Sequence, residues 1–176
     1  MKNILLISSV MTLLVNFVLV SVMAQTPPAT TKSATGQVAL KIEGEVGKSL
    51  QLTTEDLRKM PVTEVKAKDK GDKERKFIGV PLGEILKAAQ VTVGAQLRGK
   101  NLVKYVLVKA ADGYEALFSL PELDSEFTTA SVFLVFEADG KPLATGEGPY
   151  RLVVPGEKKH ARWVREVTTI QVAFAK

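Results

Sequence analysis

Residues 146–172 read GEGPYRLVVPGEKKHARWVREVTTIQV, and this stretch sets the frame for the rest of the chain. Tyr150 to Val154 is a strand-like run stopped by Pro155-Gly156, a turn dipeptide in which proline presets φ and glycine accepts φ > 0. A basic loop follows, Lys158-Lys159-His160-Ala161-Arg162, and after it Ile170, Val172 and Phe174 alternate with Thr169, Gln171 and Ala173 as a second strand. Between Arg151 and Arg165 five basic residues face Glu157 alone. Two strands flanking the loop would hold that positive charge at one place on the surface, where an anionic ligand could find it.

The first 24 residues carry the pattern of an export signal. Lys2 is a short positive start, Ile4 to Val22 is largely apolar, and Val22-Met23-Ala24 offers small residues at both cleavage-recognition positions before Gln25. The alternative is an uncleaved membrane anchor, since the apolar run approaches the length of a span. Ser8, Ser9, Thr12 and Asn16 dilute that run and no basic cluster follows it, so the expectation is cleavage and a periplasmic or secreted product without stable membrane association. Residues 25–36, QTPPATTKSATG, have nothing to bury and read as a disordered linker. Residues 37–176 are one domain's worth of chain.

The formal charge is +5 and the pI near 9.4, yet the basic residues lack interleaved exposed aromatics and no helix has a basic face, so nucleic acid is not an expected partner. Cysteine is absent, which leaves the exported domain dependent on its core and removes any thiolate for catalysis or metal binding.

Along the chain, Val38, Leu40 and Ile42 alternate as a strand, and Leu50 and Leu52 continue on a second. Thr53 or Thr54 caps a short helix that Pro61 ends. Val62 to Val65 is a candidate strand, and the run Lys66 to Lys76, KAKDKGDKERK, is almost purely charged with mixed signs and reads as a solvated loop. Pro81 opens a helix with Leu82, Ile85, Leu86 and Ala89 on one face. Val103 to Ala110 and Tyr114 to Ser119 are a hairpin about Asp112-Gly113, and Leu120 to Leu123 starts a short turn or helix. Val132 to Phe136 is apolar on both faces and predicts a central buried strand. The fold class is α+β, mostly β in a mixed sheet, with two or three short helices.

Ordinary catalysis cannot be written from these residues. His160 is the only histidine, no serine sits in a Gly-x-Ser-x-Gly elbow, and a zinc site lacks its several His or Cys ligands. His160 reads as an exposed loop residue ahead of a catalytic one, and Trp163 as a core or loop anchor. The residues alone describe an exported domain with one candidate anion site, with no catalytic residue and no metal ligand assigned.

The run GPYRLVVPGEKKHARWVREVTTIQV resembles the closing motif of the sulfite-oxidase-type molybdopterin-binding domain, a Gly-Pro-x-Arg-Leu-Val-x-Pro segment, a basic loop, Trp-Val and a last strand. Upstream, FIGVPLGEILKAA resembles that family's aromatic-x-Gly-Val-x-Leu turn and helix. DGYEALFSLPEL resembles its hairpin, and VFLVFEADGKPL its central strand and turn. The resemblance implies a mixed, mostly β fold that holds a molybdenum cofactor. In that cofactor a pterin dithiolene binds the metal, and the phosphate sits among basic side chains. By position it assigns Lys158, Lys159, His160 and Arg162 to the basic loop that binds the cofactor, and Tyr114 and Ser119 to the hairpin facing the site.

The chain departs from that pattern where active members supply a cysteine to molybdenum. That position falls in the segment occupied here by Lys66 to Lys76. The long insertions that wrap the cofactor in larger members are missing as well. Three readings follow. The first is a small exported domain of this fold that binds a pterin or other small anion without the usual redox centre. The second is an active molybdenum oxidoreductase whose metal is held by the dithiolene and solvent oxygen alone. The third is an interaction module that kept the fold and lost the ligand.

Overall fold

The computed structural model describes residues 38–175, so the expected signal at 1–24 and linker at 25–36 lie outside the described residues. The chain runs β1 (Leu40–Gly44), β2 (Leu50–Leu52), α1 (Thr54–Arg58), β3 (Thr63–Lys68), β4 (Glu74–Pro81), α2 (Leu82–Ala88), β5 (Lys104–Ala110), β6 (Glu115–Ser119), β7 (Phe133–Ala138), β8 (Lys141–Pro142), β9 (Arg151–Val153) and β10 (Val167–Phe174). Short 3₁₀ turns fill several connections. This is the expected mostly β α+β class, with two short α-helices. No helix among the described residues is long and apolar enough to cross a membrane.

One sheet has the order β2-β1-β10-β5-β6, with β1 and β10 parallel and the other pairs antiparallel. Period-two alternation explains its inner face: Leu40, Ile42, Val106, Val108, Phe118, Ile170 and Val172 are buried. Lys41, Glu43, Leu117 and Ser119, one residue out of phase, point the other way and are exposed. The other sheet runs β3-β4-β7-β8, with β9 also on β7. Residues of both sheets and of the two helices share one hydrophobic core.

β7 is the central strand that its apolar run predicts: Phe133, Leu134, Val135 and Phe136 are all buried. It pairs with β4, β8 and β9, which places it in the interior of its sheet, and its side chains belong to the shared core. Gly79 of β4 lies so close to this strand that a Cβ there would sit 2.2 Å from the Leu134 carbonyl oxygen. Only a residue without a side chain allows that approach. The helices follow their signals. Thr53 caps α1 in a reciprocal box with Asp56, and Pro81 sits at the start of α2, whose Leu82, Ile85 and Leu86 are buried.

Lys66 to Lys76 is not a solvated loop. It forms the facing halves of the β3–β4 hairpin, registered Lys66 to Lys76 and Lys68 to Glu74, with Gly71 (φ 77°) and Asp72 (φ 56°) turning the chain. Charged side chains are compatible with this strand because β3 is the sheet edge, where they stay in water and discourage further strand pairing. The exception is Asp69, which is buried.

Candidate functional site

β9 and β10 lie in different sheets, and the basic loop bridges them. Gly156 turns at φ 85°, and a 3₁₀ turn over His160–Arg162 leads toward β10. Trp163 anchors the loop. It is 5% exposed, donates from Nε1 to the Val154 carbonyl at 3.1 Å, and meets the Phe77 ring edge-on at 6.2 Å. The Leu152 amide donates to the Val164 carbonyl at 2.8 Å, closing the loop back onto β9. The His160 ring stacks on Trp163 at a centroid separation of 4.1 Å and 30° between planes.

Beneath the loop lies a network of ion pairs with a buried centre. Arg151 is 1% exposed, and its two terminal nitrogens donate to the two Asp69 oxygens at 2.8 and 2.9 Å. A further contact reaches Glu147 at 3.1 Å. Arg75 joins the set, donating to Asp69 at 3.0 Å, Asp139 at 3.0 Å and Glu147 at 3.2 Å. Burial acts to lower the Arg75 pKa, but the hydrogen bonds to Asp139, Asp69 and Glu147 outweigh it and the net shift is upward. The Arg151 guanidinium lies 5.6 Å from the Phe77 ring and 5.5 Å from the Trp163 ring, with its Nε unpaired. Bidentate arginine–carboxylate geometry sets direction as well as distance, so the pair fixes the hairpin tip against β9.

Hairpin and loop thereby enclose an open cleft of about 620 Å³. Lys66, Lys68, Asp72 and Glu74 line one wall, and Lys158, Lys159, His160 and Trp163 the other. Lys158 and Lys159 are exposed and form no ion pair among the described residues. Asp69 and Glu157 also border the cleft, but Arg75 and Arg151 pair the first and Arg162 the second.

The structure therefore divides the residues that the sequence groups together. Lys158, Lys159 and His160 share the cleft. Arg162 does not line it: its guanidinium donates to Glu157 and Glu122, both at 2.7 Å, and lies 4.5 Å from the Phe118 ring. Burial acts to lower its pKa, and Glu157 and Glu122 more than offset that. Arg151, counted in the sequence as part of the positive surface, is neutralised in the interior. Tyr114 donates its hydroxyl to the Ala161 carbonyl at 2.7 Å and lines a smaller neighbouring cleft of about 260 Å³ with His160 and Arg165. Ser119 is at the opposite end of β6, on the exposed face of its sheet, and borders neither cleft.

Asp69, Lys66 and Lys68 are the site residues that sequence reasoning missed. A signal was present: Glu64, Lys66 and Lys68 alternate with Val65 and Ala67 before Lys70-Gly71-Asp72, the pattern of an edge strand entering a turn. Among the described residues no group of three or more His, Cys, Asp and Glu could hold a metal ion.

The family profile described as "Oxidoreductase molybdopterin binding domain" matches residues 25–175. Among solved structures the chain is similar to the sulfane dehydrogenase SoxCD from Paracoccus pantotrophus. The identity is 25%, the TM-score 0.60, and the match covers 76% of this chain and 37% of that one. The chain thus spans well under half the length of that relative. A comparison with curated protein sequences gives no match.

Proposed function

Because the chain belongs to the oxidoreductase molybdopterin-binding domain family, we propose that the cleft between the β3–β4 hairpin and the basic loop binds a pterin phosphate of the molybdopterin class. The observation that carries this reading is the contrast among the cations. Arg75, Arg151 and Arg162 are each paired with carboxylates, whereas Lys158 and Lys159 stand exposed on the cleft wall with no ion pair among the described residues. Two ammonium groups on neighbouring residues suit a phosphate, and a cleft of about 620 Å³ is of ligand size.

The residues fit the organic part of the cofactor. For its metal the chain has no cysteine to offer, so a bound molybdenum would take sulfur from the dithiolene alone. The dithiolene-held metal would supply the redox chemistry, while Lys158 and Lys159 bind the phosphate and the Asp69–Arg151 pair keeps the two walls in register. We propose further that the protein is exported, with its mature chain beginning at Gln25, and that its partner is this small anionic ligand and not nucleic acid. An interaction module without a ligand is the reading that replaces this one if the cleft binds nothing.

The test is a titration of the folded protein with a pterin phosphate, followed by calorimetry. Substituting Lys158→Ala and Lys159→Ala together should weaken binding about tenfold or more, which corresponds to about 1.4 kcal/mol. Thermal stability should hardly change, since exposed charges contribute little to it. Affinity should also fall as salt rises. Absence of binding by the wild type, or equal binding by the double variant, would reject the assignment. Metal analysis with native mass spectrometry of protein from its own host then reads whether molybdenum accompanies the pterin, and intact mass reads the start at Gln25.

A further inference from the structure

The His160 ring has two faces in different situations. One lies against Trp163 at 4.1 Å, and Trp163 is itself contacted by the Arg151 guanidinium at 5.5 Å and, edge-on, by the Phe77 ring at 6.2 Å. The residue is half-buried and borders both the large cleft and the smaller one beside Tyr114, and among the described residues no second ring stacks on it. Its side chain makes no hydrogen bond among the described residues, which leaves both ring nitrogens available as well.

Trp163 does not depend on His160 for its position, since its Nε1 bond to Val154 and its edge contact with Phe77 hold it from below. The histidine therefore rests on a fixed indole that itself borders the cleft. A flat ring arriving from the cleft could stack on the imidazole in turn. Lys158 and Lys159 precede the histidine directly, so an anionic group a few bonds from such a ring would meet them.

We propose that His160 is a stacking platform for the planar heteroaromatic ring of the ligand, and that it selects ring-bearing phosphates over other phosphates. This rests on the pterin-phosphate reading above but assigns a separate part of the ligand to a separate residue. Lys158 and Lys159 would recognise charge without regard to what carries it, and His160 would recognise the flat π surface. Ring stacking of this kind is worth a factor of about ten in affinity, by analogy with bases on aromatic side chains.

The experiment compares two probes on the full-length protein by calorimetry: a pterin phosphate and ribose 5-phosphate, which carries a phosphate but no aromatic ring. The wild type should bind the pterin phosphate about tenfold more tightly. In His160→Ala that preference should collapse, to within about twofold, while ribose 5-phosphate affinity stays unchanged. His160→Phe, which keeps a ring, should restore the preference. Tm and Trp163 fluorescence report that the fold is intact in both variants.

If the wild type binds both probes equally, or if His160→Ala keeps the preference, the platform is wrong and the lysine site survives. The platform is equally wrong if His160→Phe fails to restore the preference in a folded protein. If the wild type binds neither probe, the cleft reading fails and the platform with it.

Discussion

Arg151 is a cation held in the interior by the carboxylates of Asp69 and Glu147. Its guanidinium is 1% exposed and bidentate to Asp69, which is itself only 6% exposed. Removing one member of a buried pair leaves the other charged in a medium that solvates it poorly, a loss of about 3–5 kcal/mol. Arg75 still reaches Asp69 at 3.0 Å, so Arg151→Ala should fall near the low end, about 3 kcal/mol. Urea unfolding followed by the fluorescence of the single tryptophan would measure it. A change within about 0.5 kcal/mol, the range of surface substitutions, would mean that the pair is not buried in solution. At this scale sequence reading was weakest. Arg151, Lys158, Lys159 and Arg162 are equal as letters, yet the first is interior, the last is neutralised by Glu157 and Glu122, and the two lysines stay open.

Elements were more legible because their signals are local. The β5–β6 hairpin lies about Asp112-Gly113 as its turn chemistry demands, and β7 is buried on both faces as its apolar run implies. The cap of α1 is another such signal, and it carries a prediction. Thr53 Oγ1 accepts from the Asp56 amide at 3.3 Å, and an Asp56 oxygen accepts from the Thr53 amide at 3.1 Å. The Thr53 hydroxyl, then the Thr53 amide, then Lys59 hold the Asp56 carboxyl below its ordinary value of 3.8. A depressed folded pKa means that the carboxylate's contribution is complete above that ordinary value and is lost as pH falls through the folded one. Thr53→Ala should therefore cost about 1 kcal/mol at neutral pH. In thermal melts the gap between wild type and variant should narrow below the ordinary carboxylate range. A gap independent of pH would remove Asp56 from the explanation. The candidate strand at Val62 to Val65 coincides with the start of β3, but past Val65 charge density hides the weaker alternation that carries β3 on to Lys68 and opens β4 at Glu74.

Over the whole molecule, the first described strand and the last are neighbours: β1 pairs in parallel with β10, Lys41 opposite Thr169 and Gly44 opposite Val172. β10 also pairs with β5, so it sits centrally in its sheet and contributes buried Val167, Ile170 and Val172. A contact spanning so much of the chain forms late and slowly, since loop closure must precede its reward. A chain ending at Glu166 should therefore not fold at all, because β1–β2 and β5–β6 lose the strand between them. Near-UV circular dichroism would read this as loss of the Trp163 signal, and a native-like spectrum from the shortened chain would refute it.

Strand and helix periods, the turns, the double-sided burial of β7 and the presence of one strongly basic loop were all legible in the amino-acid order. Each depends on neighbours within a few residues, where periodicity and turn chemistry act. Which cations remain available, and what faces them, emerged only from the folded chain. Asp69 and Arg151 are 82 residues apart in the chain, and Arg162 and Glu122 are 40 apart. The first of these pairs ties the β3–β4 hairpin to β9 at the cleft. Electrostatic pairing and desolvation follow distance in space, so a charge that a sequence counts as surface is assigned its role only when the sheets close around it.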